Sequence, residues 1–500
     1  MTHTTPQDSR LNVLFASIEM SPLAKVGGLG DVAGSLPRAL RERGVDVRIA
    51  MPMHGPIERA SLHLTHLLAG VKVPFANGDE RIDVWQANVR GVPVYLIENE
   101  RYFGRPNVYG FDDDKDRFLF FCDALLAAAP HLGFKPDVVH AQDWHTGLVL
   151  TRLAADPAHP WAGAGRVYTI HNLALQGQFD GGFASHFGLG GAQLAAPAGL
   201  PGGIAYSAMA QGILQADRVN TVSDTYAKEI LTPEYGAGLD PLLRLRSSVV
   251  SGIVNGIDYD EFNPATDAAI PQHFNVDALD GRVADKRALQ EKAGLPARDD
   301  ALLFGVVTRL FAQKGIDLLG GAFESLLATR DVQLAVLGTG DEDVHRMLLE
   351  LEAKHPDKVK IWLDFNPALG QLIYAGCDSF LMPSRYEPCG LGQLISLRYG
   401  AVPLVRRTGG LADTVQDADV TGASGTGFVF DAATASDLHD AAERALATFA
   451  NRAAWRAIQE RGMRQDWSWS RAADKYIELY DTAAADRAEA IEAAKAAASA

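Results

Sequence analysis

The residues able to do chemistry fall into a few short clusters. In the first, Lys25-Val26-Gly27-Gly28-Leu29-Gly30-Asp31, a cation adjoins glycine backbone that can approach a ligand closely, the makings of an anion site ahead of a helix. Residues 28–33 also satisfy G-x-G-x-x-A, but a dinucleotide fold puts its first glycine directly at a strand end and an acid at the tip of the second strand. Here the preceding strand ends at Ser17 and the second closes with Ala50-Met51-Pro52, so that reading fails. His140-Ala141-Gln142-Asp143-Trp144-His145 closes one β-branched run and His171-Asn172 closes another. Ligands of open α/β sheets sit outside the carboxyl ends of strands, so both clusters are placed for function. Two histidines and an aspartate raise the question of a metal. No third strong ligand follows at helical spacing, and hydrogen bonding within the fold or to a substrate fits better.

Arg309, with Gln313-Lys314-Gly315 opening the next helix, puts two cations at a strand mouth. That is a clamp suited to a departing diphosphate, against the bland alternative of two solvated surface charges. In Glu387-Pro388-Cys389-Gly390-Leu391-Gly392 the carboxylate can accept from sugar hydroxyls while the backbone donates. Cys389 as a nucleophile lacks a neighbouring histidine and any papain-like or caspase-like context. Gly409-Gly410-Leu411 reads as a further backbone anion nest. Walker A, HExxH and GxSxG patterns are absent.

The elements that must position these residues alternate. Short apolar runs at 11–16, 45–51, 94–97, 138–140, 167–170 and 219–222 read as buried strands, and stretches at 36–43, 118–129 and 205–216 carry helical periodicity. The second half repeats the pattern with strands at 302–307, 333–337, 359–363, 379–382, 402–405 and 427–430, and helices at 315–328 and 343–353. Both halves predict doubly wound parallel sheets. The Pro-, Asp- and Ala-rich stretch 263–284 reads as a linker or hinge. The division is therefore a first domain 1–262, a second 263–470, a helix 471–482 and an Ala-rich tail 483–500 with little to dock it, expected to fray.

Five hundred residues, 47% hydrophobic and 22% charged, exceed one ordinary domain of roughly 150 residues and suit a globular enzyme. A net charge of −16 has the wrong sign for neutralising nucleic-acid phosphates or anionic lipid, so neither nucleic acid nor membrane is expected as a partner. Cys122, Cys377 and Cys389 lie far apart without metal or disulfide spacing, which fits a reducing cytoplasm. The apolar run 118–130 contains Asp123 and is shorter than the ~20 residues a spanning helix needs, so a core helix is expected. Residues 1–10 are polar and lack the apolar region of a secretory signal, so export is not expected.

Taken together, Lys25-Val26-Gly27-Gly28-Leu29, His171-Asn172, Arg309 with Lys314, Glu387-Pro388-Cys389-Gly390-Leu391 and Thr408-Gly409-Gly410-Leu411-Ala412-Asp413-Thr414 closely resemble, in order and spacing, the bacterial glycogen synthase and plant starch synthase family, from Val13 to about Tyr480. The resemblance implies an α/β GT-B fold, two Rossmann-like doubly wound domains facing a central cleft, with the last helix crossing back to the first. It implies retaining transfer of glucose from ADP-glucose to the non-reducing end of an α-1,4-glucan (glycogen or maltooligosaccharide), with no metal and no cofactor.

By the same resemblance, Arg309 and Lys314 hold the diphosphate, with Lys25, Gly27 and Gly28 close to the nucleotide. His171 and Asn172 orient the glucose, the His171 main-chain carbonyl facing the anomeric centre. Glu387 binds sugar hydroxyls with the backbone of Cys389, Gly390 and Leu391, while Asn255, Thr408, Gly409 and Gly410 belong to the donor site. Asp143 matches a position near the acceptor, and Phe365 one where an aromatic ring stacks on the base.

The sequence departs from the family at Gly392, often Thr or Asn, at Val26, commonly Thr, at Gln371-Leu372, usually His-Arg, and at Gln211, usually Lys. The stretch 181–203 also lacks the usual apolar and aromatic content. These positions bear on donor affinity and acceptor choice. Competing readings are a related transferase using UDP-glucose or another acceptor, a glucan phosphorylase, whose pyridoxal-phosphate lysine surroundings are not visible, and a non-catalytic glucan-binding descendant, which would have no reason to keep a diphosphate clamp.

Overall fold

The computed structural model describes residues 11–76, 78–189, 194 and 206–499. The polar segment 1–10 and much of the stretch 181–203 lie outside the described residues. By contacts the chain forms two compact units: the described residues up to Val222, with Ala227–Ile253 and everything from Trp469 on, and a second unit of Val254–Ser468 with Ser223–Tyr226.

The first unit is built on strands β1 (Asn12–Ala16), β2 (Asp46–Pro52), β3 (Thr65–Phe75), β4 (Gly78–Val89), β5 (Val92–Glu98), β6 (Val138–Gln142), β7 (Gly165–Ile170), β8 (Gln178–Phe179), β9 (Tyr206–Ser207), β10 (Arg218–Thr221) and β11 (Val250–Gly252). Nine of them make one sheet in the order β11-β10-β7-β6-β1-β2-β5-β4-β3, and β8 pairs with β9 apart from it. The pairings in the nine-stranded sheet are parallel except those of β4 with β3 and β5, which are antiparallel. β1, β6 and β7 are buried along nearly their whole length, as the continuous apolar runs of a doubly covered parallel sheet require. The β3–β4 hairpin is an addition that the sequence pattern did not predict.

The second unit carries β12 (Leu302–Val307), β13 (Val332–Leu337), β14 (Val359–Trp362), β15 (Ser379–Met382), β16 (Val402–Arg406) and β17 (Phe428–Phe430), all parallel, in the order β14-β13-β12-β15-β16-β17. Counted from β12 this is 3-2-1-4-5-6, the order of a dinucleotide-binding Rossmann sheet. Alternation along each strand fills two cores. Leu302, Phe304 and Val306 enter one with Leu334 and Val336, while Leu303 enters the other with Ala335 and Leu337. Each such buried Val, Leu or Phe side chain stabilises by ~1.5–3 kcal/mol.

Three expectations need correction. The segment 263–284 is not a linker: Ile270, Phe274 and Leu279 are buried in the second unit's core, and the Tyr399 hydroxyl donates to Asp267 Oδ2 at 2.5 Å. Its few large apolar residues suffice to dock it, so the units part at Ile253–Val254 and not at 262. The helix expected at 205–216 runs Ala208–Gln215. The last helix continues through the Ala-rich stretch as Trp469–Ser499, and charge ties it to the sheet near its middle. Asp486 accepts from Arg218 Nε at 2.6 Å and Arg487 Nη2 donates to Asp217 at 2.6 Å. Gly165 lets it approach, since a Cβ there would lie 2.7 Å from the Ala483 carbonyl carbon. Among the described residues no helix is long and apolar enough to cross a membrane.

Candidate active site

In the first unit the sheet order reverses at β1, whose neighbours are β2 and β6. Chain leaving β1 and β6 therefore opens into the crevice that such a reversal creates. After β1 comes Glu19, 3% exposed. Its Oε2 accepts from the N–H groups of Val26 and Gly27 at 2.6 and 2.8 Å, and its Oε1 accepts from the Tyr109 hydroxyl at 2.5 Å. Burial first, and then the Glu19 charge, push the Tyr109 hydroxyl far above its usual range, so it stays a donor. This network shapes the glycine loop: Gly27 caps helix Gly28–Glu42, and an added Cβ at Gly27 or Gly28 meets nothing within 4 Å. The space beside this backbone is open. Lys25 reaches Asp31 at 2.5 Å, so its charge is paired.

After β6, Asp143 opens helix Asp143–Ala155 with φ +53°, the left-handed region that aspartate tolerates better than most residues. Its Oδ1 accepts from the N–H of His171 at 2.8 Å and of Asn172 at 3.4 Å. The second of these belongs to the peptide group that carries the His171 carbonyl, so Asp143 orients that carbonyl. Burial pushes the Asp143 carboxyl up to about 7, against those two N–H groups, which lower it. Burial holds His171 down to about 3, a neutral imidazole, with Nε2 at 2.8 Å from Gln142 Oε1.

His140 takes no part here. It is fully buried, 2.9 Å from the Tyr480 hydroxyl and 2.7 Å from Thr169 Oγ1, and so ties the last helix to the sheet. His145 is buried against the rings of Trp144, Phe118 and Tyr109. Among the described residues no three His, Cys, Asp or Glu side chains are grouped to hold a metal ion. Gln211 is buried in helix Ala208–Gln215.

In the second unit the reversal lies between β12 and β15, and both leaving loops carry the expected residues. Arg309, after β12, is exposed, its guanidinium over the Phe311 ring at 5.6 Å. Lys314 Nζ lies 2.6 Å from Glu387 Oε2, which also accepts from Ser384 Oγ at 3.0 Å. The two loops are strapped together. Arg385 pairs with both oxygens of Asp317 at 2.6 and 2.7 Å, and Gly315 (φ +65°) has no room for a Cβ beside the Pro383 carbonyl.

Cys389 is buried, and its thiol is pushed up to about 12 chiefly by burial, which favours the protonated form over a thiolate nucleophile; the Asn255 backbone lies against it. The Asn255 side chain is buried too, its Oδ1 unpaired among the described residues. Gly390 (φ +76°) and Leu391 lead into helix Gly392–Arg398. A Cβ at Gly392 would stand 2.9 Å from a Phe380 ring carbon, so a Thr or Asn there needs that ring to move.

Thr408, Gly409 and Gly410 pack on this loop, but as a nest they are largely occupied. A Cβ at either glycine would overlap the 387–389 backbone, Gly410 N–H donates to Glu387 O at 3.1 Å and Leu411 N–H donates to Thr408 O at 3.1 Å. The anion-nest expectation is corrected to a packing role at Gly410 and Leu411. Phe365 stands apart beyond β14 at the sheet edge, 83% exposed. Gln371 reaches the Glu261 carbonyl at 3.4 Å.

Sequence reasoning gave no role to Glu19, Tyr109, Gln142 or Ser384. Gln142 stands inside one of the strand-end clusters and Glu19 just ahead of the glycine loop, whereas nothing local marks Tyr109, whose partner is distant in the chain.

The family described as Starch synthase catalytic domain matches residues 12–245, and Glycosyl transferases group 1 matches residues 288–460. The chain is 44% identical to a glycogen synthase of Syntrophotalea carbinolica, covering 94% of this chain and 98% of that one. It is 45% identical to one of Anaeromyxobacter dehalogenans, covering 95% and 100%. Among solved structures, the catalytic domain of starch synthase IV from Arabidopsis thaliana, bound to ADP and acarbose, superposes with a TM-score of 0.88 at 35% identity, covering 95% of this chain and 100% of that one. A sucrose-phosphate synthase of Thermosynechococcus elongatus shares the fold at TM-score 0.59 and 17% identity, covering 94% and 98%.

Proposed function

The chain belongs to the glycogen and starch synthase family of GT-B glycosyltransferases, and from that premise we propose that it transfers glucose from ADP-glucose to the non-reducing end of an α-1,4-glucan with retention of configuration. The observation that carries the reading is the Lys314–Glu387–Ser384 group, with the exposed Arg309 on the loop that leaves β12, at the reversal point of a 3-2-1-4-5-6 sheet. The Arabidopsis relative's ADP supports adenosine diphosphate as the nucleotide, and its acarbose supports a glucan as acceptor.

A nucleotide diphosphate already leaves well, so the protein has to stabilise negative charge growing on phosphate and positive charge growing at the anomeric carbon. Arg309 and the two N–H donors that Lys314 keeps free of Glu387 meet the diphosphate. Glu387 and the backbone of Cys389, Gly390 and Leu391 hold sugar hydroxyls, and the exposed Phe365 ring stacks on the base. Gly27 and Gly28 offer open backbone to the nucleotide, with Lys25 exchanging Asp31 for it. Thr408, Gly409 and Gly410 hold the 387–389 loop in shape, and Asn255 backs Cys389. His171 and Asn172 orient the glucose, the His171 carbonyl facing the anomeric carbon, and Asp143 sets that carbonyl's direction. The three separated cysteines and the nucleotide-sugar donor fit the cytoplasm.

The test is nucleotide release from ADP-glucose and, separately, UDP-glucose, with and without glycogen, followed by digestion of the product with an α-1,4-specific amylase. Glycogen-dependent ADP release with a digestible product is expected. Preference for UDP-glucose would overturn the donor assignment, and release from neither donor by a folded, glucan-binding protein would overturn the enzyme.

A further inference from the structure

We propose that Gln142 is a positioning residue that fixes the ring and the tautomer of His171. Gln142 ends β6 and is fully buried, and its main chain is held by Thr146, whose Oγ1 accepts from its N–H at 2.5 Å and donates to its carbonyl at 2.8 Å. Its side-chain oxygen lies 2.8 Å from His171 Nε2. An amide oxygen only accepts, so the imidazole carries its proton on Nε2 and presents Nδ1 as an acceptor. Adjacent residues thus hold different parts of the same loop: Asp143 accepts from the N–H groups of His171 and Asn172, and Gln142 accepts from the ring.

The other half of the amide supports this. Gln142 Nε2 is buried without a hydrogen-bond partner among the described residues. An unpaired buried donor costs free energy that a methionine of the same length would not incur, so packing alone does not account for a glutamine here. The titratable groups around His171 are His140 before it on β6, Asp143 and His145 on the following helix, and Glu19, which acts on Asp143 from the loop after β1. Both neighbouring histidines are driven well below their usual range by burial, and no charged partner reaches the His171 ring from these positions.

The inference rests on the reading that His171 meets the donor sugar, and the experiment separates the two. In the full-length enzyme, Gln142→Met removes the acceptor at constant length, and turnover should fall about tenfold to a hundredfold, as misplacement of a positioned group does, with KM for glycogen little changed. Gln142→Glu keeps an acceptor but adds a charge that draws His171 into titration, so its rate profile should gain a limb between about pH 5 and 8 that the parent lacks. Nitrogen-15 spectra of the unaltered protein, with His171 assigned from His171→Gln, should show the Nε2–H tautomer, a measurement that needs no variant at position 142 to fold. Turnover of Gln142→Met within twofold of the parent, or an Nδ1–H tautomer, would overturn the proposal. If His171→Ala keeps full transfer, the reading that the His171 ring orients the glucose falls, while the main-chain carbonyl, which that variant retains, is untouched. If His171→Ala loses transfer while Gln142→Met keeps it, only the role of Gln142 falls.

Discussion

Lys314 commits one of its three N–H donors to Glu387 at 2.6 Å, whereas the Arg309 guanidinium is exposed. The two cations therefore fail differently when removed. Arg309→Ala deletes a transition-state contact and should lower turnover about a hundredfold with stability nearly unchanged. Lys314→Ala should cost as much turnover and also lower the melting temperature, because Glu387, 5% exposed, loses its counter-charge. Near-normal turnover in either variant would refute the clamp. Cys389→Ser should stay within about threefold of the parent rate, since a thiol held up at about 12 by burial is protonated at neutral pH. Loss of activity there would revive the nucleophile.

Asp143 gives a pH signature. Its carboxyl is raised to about 7 by burial, so between about pH 4 and 7 the folded protein keeps a proton that the unfolded chain has released. Stability from this group therefore falls as pH rises through that window and is flat above it. Asp143→Asn keeps an acceptor for both N–H groups, tolerates φ +53° and removes the slope. If the residue only orients the 171–172 peptide, most activity survives in Asp143→Asn. In Asp143→Ala it does not, and denaturant midpoints measured across pH should show the flattened slope in Asp143→Asn.

At the scale of elements, the last helix decides most. Its second half looked undockable from composition, yet Arg487 and Asp217 are only 17% and 11% exposed and paired at 2.6 Å. Removing residues 483–500 should take the Arg487 partner from Asp217, leaving it the Arg166 N–H at 2.8 Å, and cost about 2 kcal/mol or more, a melting shift of several degrees. An unchanged melting temperature would restore the frayed tail. Composition missed this because the anchors are single charges spaced along an alanine surface, paired with residues some 270 positions away, a separation no local pattern reports. The buried strands were legible because each is a short β-branched run closed by a polar or glycine residue, which is also why the clusters at their carboxyl ends could be read as functional. The β3–β4 hairpin was not, because β3 is largely exposed and its apolar residues do not alternate cleanly. The available signals were the Asn77-Gly78 dipeptide and the buried alternation of Ile82 and Val84. The occupied amides of Gly410 and Leu411 show the opposite limit: glycine spacing reports close approach, but not whether ligand or backbone is approaching.

For the molecule as a whole, the consequential fact is how the two units use the chain. The second is almost one uninterrupted segment, Val254–Ser468, with a core on each face of its sheet. The first needs both ends: Asn220 Nδ2 donates to the Tyr476 hydroxyl at 3.0 Å, and His140 sits 2.9 Å from that of Tyr480, so the last helix satisfies polar groups inside the first sheet. Left unpaired, each such buried group costs about 1–3 kcal/mol, before counting the apolar surface uncovered with Tyr476 and Tyr480. A fragment 254–468 should therefore fold in one cooperative transition. It should also bind ADP by calorimetry, with affinity at least about tenfold weaker after Arg309→Ala, since a charge-assisted phosphate contact is lost. A fragment 11–253 should melt broadly or not fold, and adding a peptide 469–499 should raise its melting temperature. Cooperative folding of 11–253 without the peptide would mean the helix is an ornament on an already complete sheet, and the hydroxyl contacts of Tyr476 and Tyr480 would then need another explanation.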